Sequence, residues 1–405
     1  MIKSNLFIKN NIQKNYLNNN SLKILSKKFK KIILNIKRDI YNTKKTLNVL
    51  NDKFEFNFKI KDLKKFKKFK TIAIIGMGGS ILGAEAIHDF LKIKIKKKIY
   101  FFDNLDSNKI SNFKKKEDLK KVLFLIISKS GNTIETLSNT FALDIIKKNS
   151  KNIIIISEKK NNLLFSISKK FNLFYVEHKN YIGGRYSVLS EVGAIPAYLM
   201  GINILKLRSN NLKFLNGKEM LHLRDSTTKL ANLLNSKKIN NLIFLCYSPK
   251  LEKFLFWCQQ LIAESLGKKN KGFLPMISSG PKDHHSLLQL YLDGPKNKIF
   301  HIFSIDDKSK EKINIKKELN IKNFLNKKSL SKVKLAQKDA LVESFKKHNI
   351  PFREFKIKTI KEEVLGKLFS YFMLETVIIA RLIKVNPYDQ PAVEQVKVIT
   401  KRLLS

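Results

Sequence analysis

Apolar and polar positions along the chain alternate in two rhythms, and both predict helices laid over parallel strands. From about residue 70 to 180, apolar runs at Thr71–Ile75, Ile99–Phe102, Val122–Ile127, Ile153–Ile156 and Phe171–Val176 are separated by segments of helical spacing such as Ile134–Ile146. Continuous apolar runs of this length predict strands buried on both faces, hence a mostly parallel sheet between helical layers. Residues 187–200 read as a buried helix. A second unit starts near 218, with a helix through Leu230–Leu234, a strand at Leu242–Cys246 and a helix from Leu251 to Leu266. A strand at Ile299–Phe303, a helix around Lys332–His348, a strand at Phe352–Phe355 and a long apolar helix from Lys361 to Ile383 complete it. The Gly-, Pro- and Ser-rich stretch 272–282 reads as irregular, and the charged stretch Asp306 to Glu318 as a solvated loop or helix face. Leu22, Leu25, Phe29, Ile32, Ile33 and Ile36 recur at helical spacing, so residues 1–50 read as helical. Pro387 and Pro391 set off a terminal helix that ends at Leu404. The fold class expected is α/β, with two three-layer α/β/α units at 51–205 and 206–384 and helical segments at 1–50 and 385–405.

Chemistry concentrates where strands end. Ser128-Lys129-Ser130-Gly131-Asn132-Thr133 follows one strand and opens a helix. Backbone N–H groups at a helix start carry partial positive charge, and hydroxyls add directed donors, so the stretch suits a phosphate. Gly76-Met77-Gly78-Gly79-Ser80 follows another strand in the same way. It is a poor dinucleotide fingerprint, because Ile81 stands where Gly or Ala belongs and lysines occupy the region of the acidic residue. No Gly-Lys-Ser or Gly-Lys-Thr run is present. Two such turns on one sheet fit a single phosphorylated metabolite.

The set Gly78-Gly79-Ser80, Ser128 to Thr133, Gly183-Gly184-Arg185-Tyr186-Ser187, Glu264-Ser265-Leu266-Gly267-Lys268, His285-Ser286 and Asp389-Gln390 through Lys397 resembles the glucose-6-phosphate isomerase family, in that family's order. The resemblance implies two sugar-isomerase-type domains and an obligate homodimer with shared active sites; no cofactor is expected, and no metal, since the His and Cys spacing shows no ligand set. It implies Glu264 as the base that moves a proton between adjacent sugar carbons, and Arg185 as stabiliser of the enediolate. It further implies His285 for ring opening, Lys397 as the terminal catalytic lysine, and Gln390 as a sugar ligand; Gln260, one helical turn before Glu264 on the same face, can reach the same ligand. Gly79, Ser80, Ser128, Lys129, Ser130 and Thr133 are expected around the phosphate. Read from the residues alone, Glu264 also fits a helix-end acid paired with Lys268 at i+4, and either member of the His284-His285 doublet fits the ring-opening role. An enzyme that also accepts mannose 6-phosphate, and a non-catalytic phosphosugar-binding module, are the competing readings.

Charge changes the picture less than its size suggests. The chain carries 80 basic and 33 acidic residues, a formal +47. Only seven of the basic residues are Arg, and the lysines are spread evenly among Asn and Ile, as AT-rich codons produce. Arg provides most bidentate base contacts, so nucleic acid is not an expected partner. The two cysteines lack metal-ligand spacing, no apolar run is long enough to span a membrane, and the basic N-terminal stretch has no Arg before Arg38. A cytoplasmic location is expected.

Overall fold

The computed structural model describes residues 5–306, 311–316 and 323–405. The reading made for Asp306 to Glu318 therefore lies partly outside the described residues. Two five-stranded sheets form the frame. The first is built from β2 (Thr71–Ile75), β3 (Lys98–Phe102), β4 (Val122–Ile127), β5 (Ile153–Ser157) and β6 (Phe174–Glu177), in the order β3-β2-β4-β5-β6 and parallel throughout. Every residue of β4 and β5 is buried, which is why both show as unbroken apolar runs. The chain leaves β2 for β3 on one side and returns to β4 on the other. The loops after β2 and β4 therefore diverge, opening a crevice at the carboxyl ends of those strands, where α/β proteins bind ligands.

The second sheet runs β1-β10-β9-β7-β8, with β1 (Leu6–Asn11), β7 (Asn241–Cys246), β8 (Leu274–Ser279), β9 (Lys298–Ile305) and β10 (Phe352–Ile357). Two elements here differ from the expectation. Residues 1–50 are not purely helical, because β1 pairs antiparallel with β10, Leu6 opposite Ile357. The 272–282 stretch holds β8, which pairs parallel with β7. Boundaries also shift: the helix expected to reach Ile146 is Ile134–Ala142, and Phe171 caps the preceding helix instead of opening β6. The Asn19–Tyr41 helix is present and buries Leu25, Phe29, Ile33 and Ile36.

A buried ion pair fixes the edge strand. Arg353 on β10 is fully buried and forks onto Glu375, Nη2 to Oε1 at 2.7 Å and Nη1 to Oε2 at 3.1 Å. Its Nε donates to Asn10 Oδ1 of β1 at 2.9 Å, so one guanidinium joins two strands to the Glu362–Leu382 helix. One continuous hydrophobic core connects the inner faces of both sheets, including Ile72 and Leu125 from the first and Phe244 and Phe303 from the second. The Glu252–Leu266 helix runs through this core and packs against the Leu82–Leu91 helix, carrying its C-terminal end between the two sheets. Cys246 and Cys258 are free thiols in that interior, and burial pushes Cys246 up to about 12. No helix among the described residues is long and apolar enough to cross a membrane, and no His, Cys, Asp and Glu cluster among them suits a metal ion.

Candidate active site

The centre of the site is Arg185, 2% exposed, at the start of the turn Gly184–Leu189. All its guanidinium nitrogens are engaged. Nε donates to Ser265 Oγ at 2.8 Å, and Nη2 donates to the carbonyls of Pro387 at 2.6 Å and Asp389 at 3.0 Å. Nη1 donates to Glu264 Oε2 at 3.0 Å and Gln390 Oε1 at 2.6 Å. Three contacts thus anchor the fork in protein, and the two from Nη1 go to side chains. Tyr186 supports the anchor, its hydroxyl 2.9 Å from Ser265 Oγ and donating to the Pro387 carbonyl at 3.1 Å.

Glu264 ends the core helix with its carboxylate held from both sides. Gln260, one turn earlier, donates Nε2 to Glu264 Oε1 at 2.9 Å, and Arg185 takes Oε2. The side chain keeps 33% of its surface open, enough for access. Gln260 Oε1 is buried without a partner among the described residues, an acceptor free for a ligand hydroxyl. The ion pair with Lys268 that i+4 spacing allows does not form. Lys268 instead holds Asp389 at 2.8 Å and the Asn386 carbonyl, and its ammonium keeps the Asp389 carboxyl below its ordinary value.

Two glycines let these parts meet. A Cβ on Gly79 would lie 2.2 Å from the Gly184 carbonyl carbon, so the turn after β2 touches the Arg185 turn backbone to backbone. Gly78 has φ +52°, and a Cβ there would approach Gln260 Nε2 to 2.6 Å. Ser80, just beyond, has no side-chain hydrogen bond to any described residue.

After β4, Ser128 Oγ and Thr133 Oγ1 lie 2.8 Å apart, and Ser130 Oγ is 3.4 Å from the same Thr133 oxygen. Thr133 caps the Ile134–Ala142 helix without accepting from its N–H groups, which leaves the positive helix end open. Three hydroxyls and a helix N-terminus converge here. Lys129 points elsewhere: its ammonium donates to the Asn180 carbonyl at 2.8 Å and lies 3.5 Å from Glu158 Oε1. It ties this loop to the segment leading into Arg185.

The doublet separates clearly. His284 Nε2 is 2.5 Å from the Tyr247 hydroxyl, and burial, with His285 adding to it, lowers its imidazole from the ordinary value. His285 is exposed and makes no side-chain hydrogen bond to a described residue. Lys397 is also exposed, paired with Glu394 at 2.7 Å on the Glu394–Leu404 helix, which has no buried residue. The 385–405 segment therefore returns to the site only as far as Gln390. Glu264, Arg185, Gln260 and Gln390 are brought together within one chain, and no contact joins His285 or Lys397 to them. Sequence reasoning missed Ser265 and Tyr186 as supports, although both stand beside residues it chose. The Pro387 and Asp389 carbonyls carry no side-chain signal at all.

A sequence profile described as phosphoglucose isomerase matches residues 39–405. The chain belongs to that family. A probable glucose-6-phosphate isomerase of Methanococcus maripaludis is 33% identical, covering 89% of this chain and 84% of its own length. The glucose-6-phosphate isomerase of Campylobacter jejuni is 32% identical, with 89% and 90% covered. A hypothetical protein of Thermus thermophilus shares the fold at TM-score 0.82 and 22% identity, over 98% of this chain and all of its own. Phosphoglucose isomerase activity interconverts glucose 6-phosphate and fructose 6-phosphate, a glycolytic aldose–ketose isomerisation, and this is the activity of the chain.

For this isomerase the convergence after β4 predicts a binding phenotype. Ser128→Ala with Thr133→Val removes two hydroxyls from the cradle while leaving the acid and the Arg fork intact. KM for glucose 6-phosphate is expected to rise about 10²- to 10⁴-fold, with kcat falling less, since each of the two hydrogen bonds to a charged group contributes roughly 1.5–3 kcal/mol. Steady-state kinetics with both sugar phosphates check this; an unchanged KM would move the phosphate elsewhere.

Proposed function

We propose that isomerisation proceeds by proton transfer through Glu264, on a sugar phosphate held by Ser80, Ser128, Ser130, Thr133 and the open N–H groups of the Ile134–Ala142 helix. The observation that carries this is the carboxylate fixed between Gln260 and Arg185 in a partly open crevice. Once the sugar ring has opened, Glu264 takes the proton from C2. The C–H electron pair forms the C1–C2 double bond, and the aldehyde oxygen takes the negative charge. The proton returns to C1 as the C2 hydroxyl passes its own proton to the O1 oxyanion, so that O1 becomes a hydroxyl and C2 the ketone. Arg185 Nη1 faces the developing oxyanion, exchanging its bonds to Glu264 and Gln390 for the enediolate, while Nε and Nη2 stay anchored. Gln260 Oε1 accepts a sugar hydroxyl, and Gln390 is released from Nη1 to do the same.

His285 and Lys397 complete this site in a homodimer, each site taking His285 from the second copy. The support is geometric: both side chains are exposed and unattached to the Glu264 centre in their own chain. The Glu394–Leu404 helix likewise leaves Val396, Val398, Leu403 and Leu404 uncovered. The enzyme works in the cytoplasm, where its sugar phosphates are found.

Two measurements test this reading. His285→Ala is expected to lower turnover of the cyclic sugar by about 10²-fold or more, the range of general acid–base catalysis, whereas His284→Ala leaves turnover within a few-fold. A larger defect in His284→Ala would shift the role by one residue. Refolding Glu264→Gln and His285→Ala chains together is expected to restore about one quarter of native activity, because half of random dimers carry one intact shared site of two. No recovery would mean that each site is built from a single chain.

A further inference from the structure

One cavity outside this site is wired to it. It measures about 370 Å³ and lies where the Asn19–Tyr41, Gly217–Ser236 and Glu362–Leu382 helices meet the turn after Gly267. Leu25, Leu382 and Ile383 give it an apolar wall, Lys28, Lys271 and Lys384 bring three ammonium groups to it, and its lining contains no carboxylate. Lys28 and Lys384 are exposed at the open mouth of the cavity and have no acceptor among the described residues. Asn235, exposed to solvent, is also on the lining. A volume of this size suits a small metabolite, and an unbalanced triple positive charge beside an apolar wall selects a multiply charged organic anion.

The third lysine makes the cavity more than a passive pocket. Lys271 donates to the Ile383 carbonyl at 2.8 Å. Three residues earlier in the same turn, Lys268 holds Asp389 and the Asn386 carbonyl. The turn that ends the Glu264 helix thus ties down the 383–390 segment at two places. That segment delivers the Pro387 and Asp389 carbonyls and Gln390 to Arg185. An anion between Lys28, Lys271 and Lys384 competes with the Ile383 carbonyl for the Lys271 ammonium, releasing one of the two ties.

We propose that this cavity binds small polyanions, phosphate esters or di- and tricarboxylates, and that binding lowers turnover by loosening the segment that holds Arg185. The inference rests on the role given to Arg185 above, so binding and turnover are read separately. Citrate and inorganic pyrophosphate serve as the carboxylate and phosphate probes, on the full chain at constant ionic strength. Calorimetry is expected to find two anion sites per chain, the phosphate cradle and the cavity. In Lys28→Gln/Lys384→Gln the second should weaken by about tenfold or more, as expected when two charge-assisted contacts are lost. Both probes should raise KM by competition at the cradle, and at least one should also lower kcat. In the double variant the kcat effect should vanish, the KM effect remain and basal kcat stay native. A single anion site in the native chain, or a second site unaffected by the double variant, would overturn the binding proposal. Two sites with no change in kcat would overturn the coupling, and neither result depends on which residue is the base.

Discussion

Glu264→Gln is expected to fold normally, bind fructose 6-phosphate near the native affinity and lose on the order of 10²–10⁴-fold in kcat or more, the range assigned to a positioned general base. The amide matches the carboxylate in shape, and its oxygen can still accept from Arg185 Nη1. Once the Gln260 amide turns over, the introduced NH2 can also donate to Gln260 Oε1, the buried acceptor left without a partner in the native arrangement. Little packing is lost, since the side chain is one-third exposed. What disappears is the ability to take a proton. Kinetics, circular dichroism and fructose 6-phosphate titration on one preparation check the three parts. A variant within tenfold of native kcat would remove Glu264 from the mechanism.

Arg185→Lys should be nearly as damaging, for a different reason. Five contacts radiate from one planar fork to Ser265, Glu264, Gln390 and two carbonyls of the 383–390 segment. An ammonium has three donors and no fixed plane, so it keeps the charge and loses the arrangement. Three donors cannot serve five acceptors, so at least two are left short of a donor, although the Pro387 carbonyl keeps the Tyr186 hydroxyl. The expected cost is about 10²–10³-fold in kcat, comparable to removing an oxyanion donor, with roughly 1–3 kcal/mol of stability for each acceptor stranded. Urea unfolding with parallel kinetics measures both. Native stability together with native kcat would show that the positive charge alone suffices.

How much of this was legible in the sequence depended on burial. In the first sheet, strands buried on both faces gave runs that located β2 and β4 to the residue. The two edge strands of the second sheet did not. β1 buries only Leu6 and dissolves into Lys and Asn, and β8 contains Pro275, Ser278 and Ser279 with alternating exposure, so its apolar signal is weak. In the site, side chains with distinctive chemistry, such as Glu264 at a helix end, Arg185 in its turn and the hydroxyls after β4, stood out as candidates. Their supports did not, because the three Arg185 anchors come from 80 to 204 residues away and two are backbone carbonyls. Lys129 shows the limit of local reading. It stands in the phosphate loop by sequence, but its long side chain leaves that loop for Asn180 and Glu158.

The most direct test of Glu264 as the proton carrier follows the proton itself. Fructose 6-phosphate is incubated in deuterated water with native enzyme or Glu264→Gln, and label entering carbon-bound positions is followed by NMR. A carboxylate that accepts a proton from carbon and exchanges it before returning it predicts label at C1 of fructose 6-phosphate and at C2 of glucose 6-phosphate with the native enzyme. Both incorporation and isomerisation should be lost together in Glu264→Gln. Incorporation at the native rate in that variant would contradict the account, since another group would then be carrying the proton.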